Sequence, residues 1–191
     1  MTNLSLYAVN AFIILDTDGH RVLAKYYNPK GQSYLGGPND FNKGLHSLKE
    51  QRAFEKGLFQ KTKKAGGEII LYEGHLAVYK HSLDLIFYMI GGSSENELML
   101  HSALVAFSEA AHMLLRNQVE KRAVLENLDL LVLCLDETID DGIIVETDST
   151  TIASRVSRPR ADTTEIVINE QTLMNAYSTL KEKMQQRIQQ L

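Results

Sequence analysis

The chain has 191 residues, 44% hydrophobic and 23% charged, with a formal net charge of -4. That is enough apolar material for one domain with an appendage, and the acidic balance lacks the basic excess that nucleic-acid binding requires. A single cysteine, Cys134, excludes an internal disulfide and, set in the apolar run Leu130 to Leu135, reads as a small buried hydrophobe in a reducing compartment.

In chain order, Leu6 to Leu15 is rich in Ile, Val, Phe and Tyr and predicts a strand. Asp16-Thr17-Asp18-Gly19 then predicts a tight reversal with Gly19 at positive φ, and Arg21 to Tyr27 predicts the return strand, ended by Asn28-Pro29. Lys30 to Asn42, with Gly31, Gly36, Gly37 and Pro38, predicts a loop. From Leu45 to Lys64 the residues predict a helix with an apolar stripe of Leu48, Phe54, Leu58 and Phe59, interrupted by Gly57.

Gly66-Gly67 stops that helix. Three strands are expected at Glu68 to Tyr72, His75 to Lys80 and Leu83 to Ile90, separated by Glu73-Gly74 and His81-Ser82 in an antiparallel meander. Gly91-Gly92-Ser93-Ser94 ends the sheet, and Ser94 with Glu97 has capping-box spacing for a long helix. Its stripe is Leu100, Leu104, Phe107, Ala111 and Leu114. A second long helix is expected from Lys121 to Asp140, with Leu125, Leu128, Val132, Leu135 and Ile139 on one face and Gly142 beyond its end.

A hydrophilic stretch from Arg158-Pro159-Arg160 through Glu165 divides the expected domain, 1–157, from residues 158–191, a linker and a terminal helix at Glu170 to Leu191. That helix carries one narrow stripe of Leu173, Tyr177, Leu180, Met184 and Ile188, suited to a groove or a partner helix, and these five are the candidate partner-binding residues. Two strands, a helix, three strands and further helices describe an α+β layer structure around a five-stranded antiparallel sheet.

No side chains stand at catalytic spacing, so no enzyme activity and no cofactor are expected. The six histidines, at 20, 46, 75, 81, 101 and 112, include no pair three or four apart on a helix, and no HExxH zinc signature occurs. Asp136, Glu137, Asp140, Asp141, Glu146 and Asp148 do not alternate as a calcium loop requires and read as a charged helix end and loop. The Gly91 to Ser94 loop lacks the lysine of a phosphate-binding loop and reads as a turn. Lys49, Arg52, Lys56 and Lys63 share one helix face; the plain reading is a solvated face, the alternative a contact with anionic lipid or an acidic chain. With no apolar run of membrane-spanning length, no secretory leader and no lipidation signal, the protein is expected in the cytosol, touching membranes through partners or weak surface charge.

The string DETIDDGIIVETDSTTIASRV, Asp136 to Val156, resembles the corresponding stretch of the zeta subunits of coatomer. SLYAVNAFIILDTDGHRVLAKYY, FEKGLFQKTKK, EIILYEGHLAVYK and LDLIFYMIGG resemble that family in order and spacing, across most of residues 4 to 157. More distantly, LAKYY and the D-E-x4-G-x-I-x-E-T pattern are similar to the small sigma chains of clathrin adaptors. The resemblance implies a longin-type, SNARE-like fold and a non-catalytic place in the heptameric COPI vesicle coat, paired with the large gamma subunit. It also implies recruitment to Golgi membranes by Arf-family GTPases, and Golgi-to-ER retrograde and intra-Golgi transport. A trafficking regulator of the tethering or SNARE-related kind is the alternative. Sigma chains carry an arginine just before LAK that helps hold acidic dileucine signals; the matching position is Val22, and Arg21 points to the opposite face of a strand. Dileucine recognition is therefore not carried over.

Overall fold

The computed structural model describes residues 6–27, 45, 47–63 and 68–157. The first strand, β1 (Val9–Asp16), is buried along its whole length, as its run of Val, Phe, Ile and Leu requires of a strand covered on both faces. At its end the Asp16 Oδ1 accepts hydrogen bonds from the backbone N–H of Asp18 (3.0 Å) and His20 (2.7 Å), and Gly19 takes φ +82. A Cβ there would sit 2.6 Å from the Phe59 ring, so the turn needs glycine for both its backbone and its neighbour. The return strand is β2 (Arg21–Tyr26).

Helix α1 (Leu48–Thr62) opens with a full capping box between Ser47 and Glu50. Phe54, Leu58 and Phe59 turn inward, together with Glu55 and Thr62. Leu48, expected on that stripe, is exposed, because it lies in the first turn beyond the edge of the inward face. Next come β3 (Ile69–Tyr72), β4 (His75–Ser82) and β5 (Leu85–Gly92). Glu73 and Gly74, at φ 48 and 78, form the two-residue turn whose handedness suits a hairpin. The following turn is Leu83-Asp84, not His81-Ser82, since Ser82 pairs with Leu85. Leu83 occupies the left-handed region at φ 50, a conformation no sequence rule assigns to leucine.

Helix α2 (Glu97–Leu114) is capped by Asn96, not Ser94: its Oδ1 accepts from the backbone N–H of Leu98 (3.0 Å) and Met99 (3.3 Å). Leu100, Leu104, Phe107 and Ala111 are buried and Leu114 packs at the margin. The expected single helix from Lys121 to Asp140 is two, α3 (Lys121–Glu126) and α4 (Leu128–Thr138), parted at Asn127 with φ -126. The inward face agrees with the expected one only in part, at Leu135 and Ile139. Val124, Leu131, Cys134 and Leu135 are buried, while Leu125 is exposed and Leu128 and Val132 are half-buried. Ile139 is buried in β6 (Ile139–Asp140), which pairs with β7 (Ile143–Ile144). Helix α5 (Ser149–Val156) ends the described residues.

All sheet pairings are antiparallel, in the order β2-β1-β5-β4-β3. Alternation along the central strands sends Phe12, Ile14, Phe87 and Met89 to one face, under α2 to α5, and Ile13, Leu15, Tyr88 and Ile90 to the other, under α1. Phe107 anchors the larger core, edge-on to Phe12 with ring centroids 4.5 Å apart. The result is the expected α+β architecture, with helices on both faces of the five-stranded sheet. The described residues up to Ser157 belong to one compact unit. The expected loop at Lys30 to Asn42 and the terminal helix lie outside the described residues.

Candidate partner-binding surface

Among the described residues, the cysteine and most histidines and acids considered above take structural contacts. Cys134 is buried in α4, and that burial, with Glu137 nearby, pushes its thiol up to about 12, so it is not a nucleophile at neutral pH. His75 is buried against Asn10 and edge-on to Phe54. His81 lies edge-on to Tyr79, His101 faces Glu68 at 3.3 Å, and the Nδ1 of His112 lies 2.7 Å from the Ser108 carbonyl. His46 lies outside the described residues.

Among the described residues, Asp16, Asp18 and His20 bring ligand-type atoms together, but the Lys121 ammonium already sits 2.8 Å from Asp16 Oδ2. Burial raises the pKa of Asp16. Donation by Lys121 and by the two turn amides outweighs it and holds the carboxyl at about 2. This is a clamp between the first hairpin and the start of α3, occupied by a protein cation.

The acids at the far end are similarly placed. Asp136 pairs with Lys25 at 2.5 Å, and Arg155 reaches Glu137 at 3.4 Å and Glu146 at 3.3 Å. Asp148 caps α5, accepting from the Thr151 N–H at 2.8 Å and from both threonine hydroxyls beside it. Those bonds, Thr151 first, hold its carboxyl at about 2. Gly91 and Gly92 finish β5, where a Cβ on Gly91 would meet the Ala8 carbonyl at 2.9 Å; close packing is the reason for glycine there.

At the position compared with the sigma-chain arginine, Val22 packs against the core under α2 to α5. Arg21 turns the other way and donates to Glu55 of α1 through Nε (3.0 Å) and Nη2 (2.5 Å). Its guanidinium is spent on a buried carboxylate and is not presented to a ligand.

What remains is surface. β3 is an edge strand, with backbone groups on its outer side unpaired within the sheet. Ile70 and Tyr72 pack beneath α1, so Ile69 and Leu71 point to the α2 side, 44% and 63% exposed. The contact of His101 with Glu68 sets α2 beside the start of this strand. Leu98, one helical turn earlier, is 70% exposed. This apolar margin around β3 is a candidate protein contact surface. Sequence reading missed it, because Ile69, Ile70, Leu71 and Tyr72 are all apolar and only the strand order puts β3 at the edge. The five expected contact residues, Leu173, Tyr177, Leu180, Met184 and Ile188, lie outside the described residues.

Comparison with known proteins matches this arrangement. The family model for the clathrin adaptor complex small chain matches residues 8–163. Coatomer subunit zeta of Saccharomyces cerevisiae is 41% identical over 191 residues, covering 100% of this chain and 99% of the yeast protein. Coatomer subunit zeta-1 of Homo sapiens is 42% identical over 180 residues, 94% of this chain and 92% of the human protein. A chain in a homology model of the full-length AP-3 complex in a stretched open conformation superposes with a TM-score of 0.58, covering 92% of this chain and 98% of that one at 16% identity. That likeness identifies the fold as the longin-like one of adaptor small chains. The chain belongs to the clathrin adaptor small-chain family and, within it, groups with the coatomer zeta subunits.

Proposed function

We propose that this chain is a non-catalytic small subunit of the COPI vesicle coat, held in a heptameric coatomer by direct pairing with the large gamma subunit. The observation that carries this reading is the 41% identity to a coatomer zeta subunit along the whole of both chains. The geometry supports it. Among the described residues, Cys134 is buried and His75 is buried against Asn10, while the edge of β3 offers an apolar margin to a larger chain. The stripe of Leu173, Tyr177, Leu180, Met184 and Ile188 serves as a second contact with a coat partner. Within the complex the chain reaches Golgi membranes through an Arf-family GTPase and takes part in Golgi-to-ER retrograde and intra-Golgi transport. It acts from the cytoplasmic side, without a cofactor or nucleic acid.

Affinity purification from cytosol, with stoichiometry by mass spectrometry, tests this. About seven chains in equal amounts support the coat, as expected for obligate interfaces. A monomer, or co-purification with a tethering assembly instead, contradicts it.

A further inference from the structure

Helix α1 has an outward ridge that the coat reading does not use. Lys49, Arg52, Lys56 and Lys63 recur along it at spacings of three, four and seven residues, with Ala53 and Gln60 between them. All four cations are exposed. The two acids of α1 lie off the ridge: Glu50 is held in the capping box and Glu55 is buried under Arg21. No described ion pair engages Lys49, Arg52 or Lys56.

The opposite face of the sheet has the reverse charge. From Ser93 to Ser157, the span of α2 to α5, the chain carries twelve Asp and Glu against four Lys and Arg. The sheet therefore separates a cationic ridge from an anionic layer in a chain of net charge -4. A negative surface can approach such a molecule favourably from the α1 side and is repelled from the other, so the field both attracts and orients.

We infer that the Lys49-Arg52-Lys56-Lys63 ridge of α1 is a contact for an anionic lipid surface. A helix ridge is convex, about 22 Å long for fifteen residues, and bears three lysines, which act as point charges, to one arginine. Acidic peptides are held in grooves by side-chain pockets and forked arginine bonds, which a convex lysine ridge does not supply. A flat array of headgroups needs neither. Four such cations give weak binding, half-saturating at on the order of millimolar lipid, so the contact gains force where many copies share one surface.

The test is co-sedimentation of the full chain with phosphatidylcholine vesicles, with and without about one third phosphatidylserine, at low salt and physiological salt. The chain is expected to bind the anionic vesicles only, and less at higher salt. The K49Q/R52Q/K56Q variant is expected to need about tenfold more lipid or more, each single change being intermediate, with an unchanged Tm and intact co-purification with coat chains. The control R116Q/R122Q, which removes cations from the other layer, should bind as the parent does. Equal binding to neutral and anionic vesicles, no loss in the ridge variants, or an equal loss in the control overturns the inference. So does retention on immobilised polyglutamate without vesicle binding, which assigns the ridge to an acidic protein. Because co-purification is read separately, failure of the lipid contact is distinguishable from failure of the coat reading.

Discussion

Arg21 of β2 closes on Glu55 of α1 across the smaller core, its Nε and Nη2 donating to the two carboxylate oxygens at 3.0 and 2.5 Å. The Tyr26 hydroxyl adds a third bond to the same carboxylate at 2.9 Å. Glu55 is only 2% exposed, so these donors replace the hydrogen bonds that water would otherwise give it. The pair pins α1 to the edge of the sheet.

Removing one partner strands the other charge in a partly dry site, which is costlier than losing the pair together. Glu55→Ala is expected to destabilise the domain by about 3 kcal/mol, lowering Tm by about 10 °C for a domain of this size. Adding Arg21→Met should restore part of the loss. A thermal-melt double-mutant cycle checks this, and equal additive losses would show that the two groups are not coupled.

The Asp16 carboxyl has a pKa near 2 in the folded chain, below its usual 3.8. A carboxylate depressed by folding contributes stability that is fully present above about pH 4 and is lost as pH falls through 2. Stability measured by denaturant between pH 4 and pH 2 should therefore fall less steeply in Asp16→Asn than in the parent. Lys121→Met should behave like Asp16→Asn, since it removes the main donor. A parallel acid slope in all three proteins would contradict the clamp.

Gly142 stands at φ +89 with the space for a Cβ blocked by the Val9 carbonyl at 2.7 Å, and its own carbonyl accepts from the Val9 N–H at 3.0 Å. It ties the β6-β7 turn to the start of β1. Gly142→Ala should cost about 2 kcal/mol or more, combining left-handed strain with a backbone clash. Gly74→Ala, at φ +78 with nothing within 4 Å, should cost about half as much. Denaturant midpoints compare the two directly, and equal costs would show that the contact with Val9 is not limiting.

The features legible in the sequence were those written by local chemistry. Gly19 and Gly74 at their turns, the alternation of the strands and the stripe of α2 all followed from residue type and period. Asn127 shows where that logic stopped. A continuous 3.6-residue period through residues 121–140 groups Leu125, Leu128 and Val132, but Asn127 leaves the helical region and its Nδ2 donates to the Ala123 carbonyl. The buried set is Val124, Leu131, Cys134 and Leu135, which the same period also groups, so period alone did not choose between the two faces. Asparagine's readiness to bond nearby backbone was the available signal. Asn96 displaced Ser94 as the cap for a related reason, since both residue types suit the position and only the chain path selects between them. The Leu83 turn had no signal, because tertiary pairing of β4 with β5 imposes a φ that leucine does not favour. Of the surfaces, the edge of β3 depends on strand order, which no local pattern encodes.

The terminal stripe leads to a further expectation. Leu180→Glu with Met184→Glu should weaken binding to the coat partner about tenfold or more, by placing charge on the stripe proposed to make that contact. The Tm of the chain alone should change little. A fall of several degrees in that Tm would assign the stripe to the domain core.

The most direct test of the coat assignment is an equilibrium binding measurement between this full chain and a gamma-type large coat subunit, each purified separately. Pairing as an obligate interface predicts a one-to-one complex with a Kd on the order of nanomolar or tighter and a clear rise in the Tm of the small chain. Absence of a complex at micromolar concentrations, or a Tm equal alone and in the mixture, would contradict it.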